Sequence, residues 1–284
     1  MKNQTPYERP IFGIDRDGKM RKNPNNLTIK QHILSAKQLS EWSVNGKTIH
    51  IRDIPSGEDR NITPDNEYFG VQRLWDQEIE QVFFKGIEDK YQEQVAKLKV
   101  MQVSFLSERV TAQKEAKDHD ININALVDYY KISCIRCELS KKNRPHAPLL
   151  QDMPGEHTNA QIEENELARL KGHHDFVKVL VPADKNSQSI ARFITRFAIN
   201  TDYDAMTQKL GNTIWNLLFL EIGHDNLVIS DALDVFYKEG YYLMPITPRI
   251  LLISQSTVDK IGNALKSTII NDILKNHAYR FHTI

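Results

Sequence analysis

The chain has 284 residues, 40% of them hydrophobic, which suits a folded protein of one large or two closely packed domains and excludes a largely disordered one. Lysine plus arginine and aspartate plus glutamate each number 37, so the net charge is zero; a chain-wide basic footprint for nucleic acid is excluded, and any such contact needs a local patch. No run reaches the roughly 18 apolar residues of a membrane span, the opening MKNQTPYERP lacks a signal peptide's apolar core, and two cysteines fit a reducing compartment, so no membrane contact and a cytoplasmic location are expected.

Residues 1–27 read as a polar appended arm in which IFGIDRDGKMRKNPNN suggests a hairpin turning at Asp17-Gly18. Residues 28–284 read as a single α+β domain. Ser35 and Gln38 have capping-box spacing, which starts a short helix there and leaves His32 just before its N-terminus. Asn45-Gly46 is a hairpin turn signal, TIHIRDI alternates apolar with polar residues, and strands are expected there and in RNITP. From Arg73 the period changes. Trp75, Ile79, Val82, Ile87, Tyr91, Val95 and Leu98 recur at helical spacing, predicting an amphipathic helix to about residue 115 with a bend at Gly86. A second helix fits ININALVDYYKISCIRCELS, and the Pro- and charge-rich SKKNRPHAPLLQDMPGEH is a loop. Helices are expected over 160–172, 187–200 and 203–221, strands in NLVISD, ALDVFY and YYLMPITPRILLIS, and a last helix over 257–278. The whole is an α+β fold, mostly helical, with a small antiparallel sheet built from the N-terminal hairpin and C-terminal strands.

Several of these stretches occur in an order that resembles a bacterial family, domain-of-unknown-function family 4238. KQHILSAKQL is similar to the family's opening His-His-Tyr-Val-Pro-like stretch, with Gln31 beside His32 and Ser35 at the proline position. KTIHIRDIPSGEDRNITPDNEYFG resembles its strand, polar turn and glutamate-aromatic run, and IEQVFFKGIE its two isoleucine-glutamate pairs on a long helix. LVISDALDVFY resembles its strand ending in Ser-Asp-x-Pro, with Ala232 and Leu233 where a proline is usual; YYLMPITPRILLIS and INDILKNHAYRFHTI resemble its closing strand and helix. The likeness covers roughly residues 28–284. It implies a fold and a set of site positions more than an activity; members occur among bacterial accessory and antiphage genes.

The candidate catalytic residues are His32, Glu80, Glu88 and Asp231. A histidine ahead of a helix N-terminus sits where backbone N–H groups favour an anion, Glu80 and Glu88 border one apolar stripe about two turns apart, and Asp231 ends an apolar strand. Together they could hold a divalent metal, or act as base and electrostatic clamp on a phosphodiester. The plainer reading makes the glutamates solvated or paired with Lys85 and Lys90, and His32 a capping or core residue. Cys134-x-x-Cys137 with His146, His157, His173 or His174 would suit zinc, yet both cysteines lie on an apolar stripe with Leu126 and Tyr130, and core packing is expected. Arg169 and His174 have the spacing of a phosphate-contacting pair in helical ribonucleases, against which Gly172 argues for a helix end. The basic KKNRPH, 141–146, suits a solvated loop that could touch phosphates. Asp15-x-Asp17-Gly18 begins like a calcium loop, but Asn26 stands where the bidentate glutamate is needed. With no Gly-rich phosphate loop or G-x-S-x-G turn, an NTPase or ordinary serine hydrolase is not expected. Two functions follow: a toxin-like effector of antiphage defence acting on RNA or DNA, possible as a metal-dependent phosphodiester hydrolase, or a non-catalytic module that binds a protein partner and holds an effector inactive.

Overall fold

The computed structural model describes residues 12–14, 19–22, 28, 30–72, 75, 77–104, 120–141, 187–220, 225–262 and 266–284. Their contacts divide the chain into two units, each assembled from separate segments: Met1–His32, Gly70–Gly86 and Leu139–Asp204 form one, and Ile33–Phe69, Ile87–Glu138 and Ala205–Ile284 the other. Helices and small antiparallel sheets give the α+β class expected from the sequence.

In the first unit, strands β1 (Phe12–Ile14) and β2 (Met20–Lys22) pair antiparallel, Phe12 opposite Lys22. This is the expected hairpin; its turn residues Asp17 and Gly18 lie outside the described residues. Strand β3 (Lys30–His32) pairs antiparallel with β6 (Gly70–Gln72), placing His32 opposite Gly70. Three-residue strands are too short to show alternation, which is why neither was legible. The helix expected from Arg73 starts near Gln77 and passes through a π-helical stretch, Ile79–Phe84. That wider turn, rather than Gly86, is the irregularity. Gln31 is fully buried and holds Trp75 by both amide atoms: its Nε2 donates to the Trp75 carbonyl at 2.9 Å, and its Oε1 accepts the Trp75 N–H at 3.1 Å. Trp75 meets Phe84 edge to face at 5.2 Å.

The second unit opens with helix α1 (Ala36–Ser40), where Ser35 Oγ accepts the Gln38 N–H at 3.2 Å as the capping box requires. The reciprocal half is replaced. Gln38 sends its Nε2 to the Pro245 carbonyl and accepts from the Tyr129 hydroxyl at 2.9 Å, while that hydroxyl oxygen takes the Ser35 N–H. Helices α2 (Lys85–Ser104) and α3 (Ile123–Lys141) follow, each with most of its length in this unit; the expected extension to residue 115 lies outside the described residues. From Ala125 to Cys137, α3 is buried at every residue except Asp128. Burial on all sides is the reason it carries no clean amphipathic stripe. Tyr129 stacks on Tyr91 with ring centres 3.8 Å apart, and burial, with the Glu88 charge, pushes its hydroxyl up to about 12.

After residue 187 the expected elements change in four places. Helix α4 runs unbroken over Ser187–Leu210, since nothing near Asn200 interrupts it, and the supposed second helix over 203–221 ends there. Trp215–Phe219 is instead strand β7, with Trp215 and Leu217 buried. ALDVFY is not a strand: Leu233–Glu239 forms helix α5, with Leu233 and Phe236 buried one turn apart and Gly240, at φ 76°, closing it in the left-handed conformation glycine tolerates. The helix expected over 257–278 is two, α6 (Gln255–Ile261) and α7 (Ser267–Asn276), parted at Gly262, whose φ of 66° cannot continue a helix.

YYLMPITPRILLIS forms the hairpin of β8 (Leu243–Thr247) and β9 (Ile250–Ser254), with β7 on the other side of β9. Pro245 is tolerated because β8 is an edge strand of that sheet. A second sheet, in the order β10-β4-β5, joins β4 (Ile49–Asp53) and β5 (Glu58–Ile62) to β10 (Phe281–Thr283), a C-terminal strand the sequence did not announce; the strands expected in YYLMPITPRILLIS pair with each other and with β7 instead of with the N-terminal hairpin. NLVISD runs beside β10 but makes only one bridge, Ser230 to His282, reinforced by backbone and hydroxyl bonds between Ile229 and Thr283.

Candidate functional site

The four residues singled out in the sequence have structural partners. His32 lies in β3 of the first unit, half-buried, and the helix after it in the sequence has five residues, too short to present a strong dipole end. Glu80, on the π-helical stretch of the same unit, accepts the Trp75 indole N–H at 2.6 Å through Oε2. Glu88, in the second unit, pairs with Arg136, whose side chain is only 2% exposed. Lys85 and Lys90, the partners considered for the glutamates, are both exposed. Asp231 is fully buried and accepts backbone N–H groups from Tyr279 (2.8 Å to Oδ1) and Arg280 (3.0 Å to Oδ2). Glu88 and Asp231 thus serve different elements, and among the described residues no three histidine, cysteine or acidic side chains are grouped to hold a metal ion. The divalent-metal expectation therefore finds no donor set here.

Asp231 leads to a polar network the sequence did not announce. By fixing the 279–280 backbone it positions Arg280, whose Nη2 donates to the Tyr68 carbonyl at 2.7 Å and whose guanidinium carbon lies 5.3 Å from the Tyr68 ring centre. The Tyr68 hydroxyl has one proton to share between Asp53 Oδ1 (2.9 Å) and the Arg280 carbonyl (2.7 Å). Asp53 Oδ2 binds Arg60 at 2.6 Å, and the Arg60 guanidinium lies 5.9 Å from the same ring. Burial and the Asp53 carboxylate raise the Tyr68 hydroxyl well above the ordinary tyrosine range. Through Asp231 and Tyr68, both of which bond the Arg280 backbone, the network is suited to fixing the end of β10 in place.

The other face of the same sheet is open. Alternation buries Ile49, Ile51 and Asp53 on β4 and turns His50 and Arg52 outward; on β10 it buries Phe281 and Thr283 and turns out His282. The register sets His282 opposite Arg52, Arg52 opposite Asp59, and His50 opposite Asn61. Asp59 grips Arg52 through Nε at 2.7 Å, and the Gly57 carbonyl accepts from its Nη1 at 2.7 Å, so the guanidinium is oriented. His282 Nδ1 lies 2.9 Å from the Thr283 carbonyl. A carbonyl only accepts, so Nδ1 carries the proton and Nε2 is the basic nitrogen. Burial is the largest influence lowering this imidazole's proton affinity, with Lys275 and Arg52 adding to it, against the Thr283 bond and the Asp59 charge. The alternation of TIHIRDI already put His50 and Arg52 on one face; nothing in the three residues of β10 announced His282.

Cys134 and Cys137 are free and buried, with Cys134 Sγ donating to the Leu233 carbonyl, as expected for core packing. His146, His157, Arg169, His173, His174 and most of KKNRPH lie outside the described residues, as do Asp15, Asn26 and the helix expected over 160–172. No family model, curated protein or solved structure matches this chain. No helix among the described residues is long and apolar enough to cross a membrane.

Proposed function

We propose that this chain is a member of family 4238 and a toxin-like effector of antiphage defence that cleaves RNA, with the outer face of the β10-β4-β5 sheet as its reaction surface. The observation that carries the reading is the pair of outward imidazoles, His50 and His282, flanking Arg52 on paired strands. Residues diagonal across an antiparallel pair have Cβ atoms roughly 7–8 Å apart, within reach of one phosphate group. His282, neutral and basic at Nε2, takes the proton of a ribose 2′-hydroxyl as that oxygen attacks phosphorus. His50 gives a proton to the departing 5′-oxygen, and the product ends are a 2′,3′-cyclic phosphate and a 5′-hydroxyl. Arg52, oriented by Asp59, faces the charge that builds on the phosphoryl oxygens. This chemistry needs a local patch only, which accords with a net charge of zero.

The test is incubation of purified protein with RNA and with DNA of the same sequence, scoring cyclic-phosphate ends. RNA alone should be cut, and His50→Ala and His282→Ala should each lower the rate by about a hundredfold or more. Cleavage that persists in both variants but is lost in His32→Ala or Glu80→Ala would move the reaction to the first unit and defeat the reading. A second reading, the non-catalytic module that binds a protein partner, is favoured by the use of Glu80, Glu88 and Asp231 in internal contacts. It predicts that RNA and DNA both stay intact and that induced wild type leaves bacterial growth unchanged.

A further inference from the structure

The bridge between Ser230 and His282 sets side by side two side chains with unused hydrogen-bonding capacity. The Thr283 N–H donates to the Ile229 carbonyl at 2.9 Å, one residue outside the bridged pair. Ser230 and His282 are therefore a non-hydrogen-bonded antiparallel pair, in which opposite side chains share a face and their Cβ atoms lie about 4.5–5.5 Å apart. Both neighbours of Ser230 are pinned. Ile229 gives its N–H to Thr283 Oγ1 at 2.9 Å, and Asp231 holds the Tyr279 and Arg280 N–H groups, so the register of the pair is fixed.

Ser230 is fully buried, and among the described residues its Oγ has no hydrogen-bond partner. Buried polar atoms are nearly always bonded, so an idle hydroxyl calls for a partner that arrives in another state of the protein. The adjacent ring supplies one. With Nδ1–H on the Thr283 carbonyl, Nε2 of the neutral imidazole is a lone pair, and protonation turns it into a donor. Lys275 on α7 and Arg52 on β4 oppose the added charge, and Asp59 on β5 favours it. The charged ring thus needs an acceptor for Nε2–H that the neutral ring leaves unused.

We propose that Ser230 is a positioning residue for His282, its Oγ accepting the Nε2–H that exists only when the ring is protonated. The effect on rate rests on the reading of His282 as the base. Before reaction Nε2 is open to the ribose 2′-hydroxyl; once the proton has moved to Nε2, the new N–H turns from the ribose oxygen to Ser230. A bond made only as the proton arrives favours the transition state over the ground state, which is how a residue that never touches RNA raises the rate.

The test is an NMR titration of the full-length protein without RNA, with the His282 signal identified by its loss in His282→Gln. Ser230→Ala should weaken proton binding to His282 about tenfold, a fall of about one pH unit in its midpoint, and leave that of His50 unchanged. Ser230→Thr keeps the hydroxyl and should restore the midpoint. Because the hydroxyl is idle beside a neutral ring, Ser230→Ala should melt no lower than wild type at pH 8, and lower than wild type only below the His282 midpoint. Where RNA is cut, Ser230→Ala should lower kcat about tenfold at unchanged KM and move the acid limb further down. An unmoved midpoint in Ser230→Ala, an equal fall in folded Ser230→Thr, or the same loss of melting temperature at both pH values would overturn the proposal. RNA cleavage with an unmoved midpoint defeats this inference alone; a midpoint that falls while RNA stays intact supports the hydrogen bond and removes only the reaction assigned to His282.

Discussion

The two faces of the β10-β4-β5 sheet are made by the same alternation and put to opposite uses. Inward, Asp53 meets Arg60 and Tyr68, and Arg280 is fixed by Asp231, so that charged groups are closed on one another. Outward, His50 and His282 flank an Arg52 that is oriented by Asp59 and still faces solvent. A buried charge without partners costs several kcal/mol, so the Asp53 and Asp231 carboxylates on the inner side are each held by donors. His50 is exposed and incurs almost no such cost, whereas His282 is half-buried and meets part of it as a lowered proton affinity. Asp53, Arg60, Asp231 and Arg280 therefore hold the fold on one side, and the other side bears the two histidines to which the proposed chemistry is assigned.

The contrast is tested most severely at Asp231. Asp231→Ala would leave the Tyr279 and Arg280 N–H groups buried without their acceptor and release the strand that bears His282. We expect a loss of roughly 3–5 kcal/mol in urea denaturation, together with lost RNA cleavage. A loss under about 1 kcal/mol would mean that the inner network is not what fixes β10. Tyr68→Phe is the intermediate case, removing one hydroxyl from a set whose ion pair survives, and should cost about 1–2 kcal/mol. Its pH signature has a definite sign. Because the folded state raises this hydroxyl above its ordinary value of 10.0, the protonated form stabilises the fold below pH 10, and that stability is lost as pH rises towards the folded value. The variant should lose less stability than wild type between neutral pH and alkaline pH.

Legibility in the sequence followed the length of each element and the range of its contacts. The α3 helix, the Asn45-Gly46 turn, the Ser35 cap and the alternation of β4 are local patterns, and each has its counterpart in the structure. ALDVFY was misread because six residues with four apolar side chains fit a strand as well as a turn and a half of helix; Gly240 was the available signal for the helix. The inner network joins residues 53, 60, 68, 231 and 280, and no spacing rule reaches across 200 residues. Glu88 shows the same limit from the other side: its helical position was read correctly, but its partner is Arg136 on another helix, not a lysine on its own.

The outer face should respond in the opposite way to the inner one. His50→Ala exposes no buried partner and should change stability by less than about 0.5 kcal/mol while removing the proton donor. A destabilisation comparable to that of Tyr68→Phe would erase the distinction between the faces. His282 gives the finest measurement, because one property of its ring feeds two readouts. Its proton affinity lies below the ordinary histidine value of 6.5, so the neutral base persists on acidification past that point. The acid limb of the cleavage rate should therefore fall at a pH below 6.5, not at it. The folded state also resists protonation that the unfolded chain accepts, so His282 contributes stability above pH 6.5 that is lost as pH falls through the lowered value. Raising salt should move the limb back towards 6.5 only partly, since Lys275 and Arg52 are screened whereas burial, the larger cause, is not. If the rate limb moves fully with salt, or if Asn at position 282 keeps both the limb and the acid-side loss of stability, His282 is not the base.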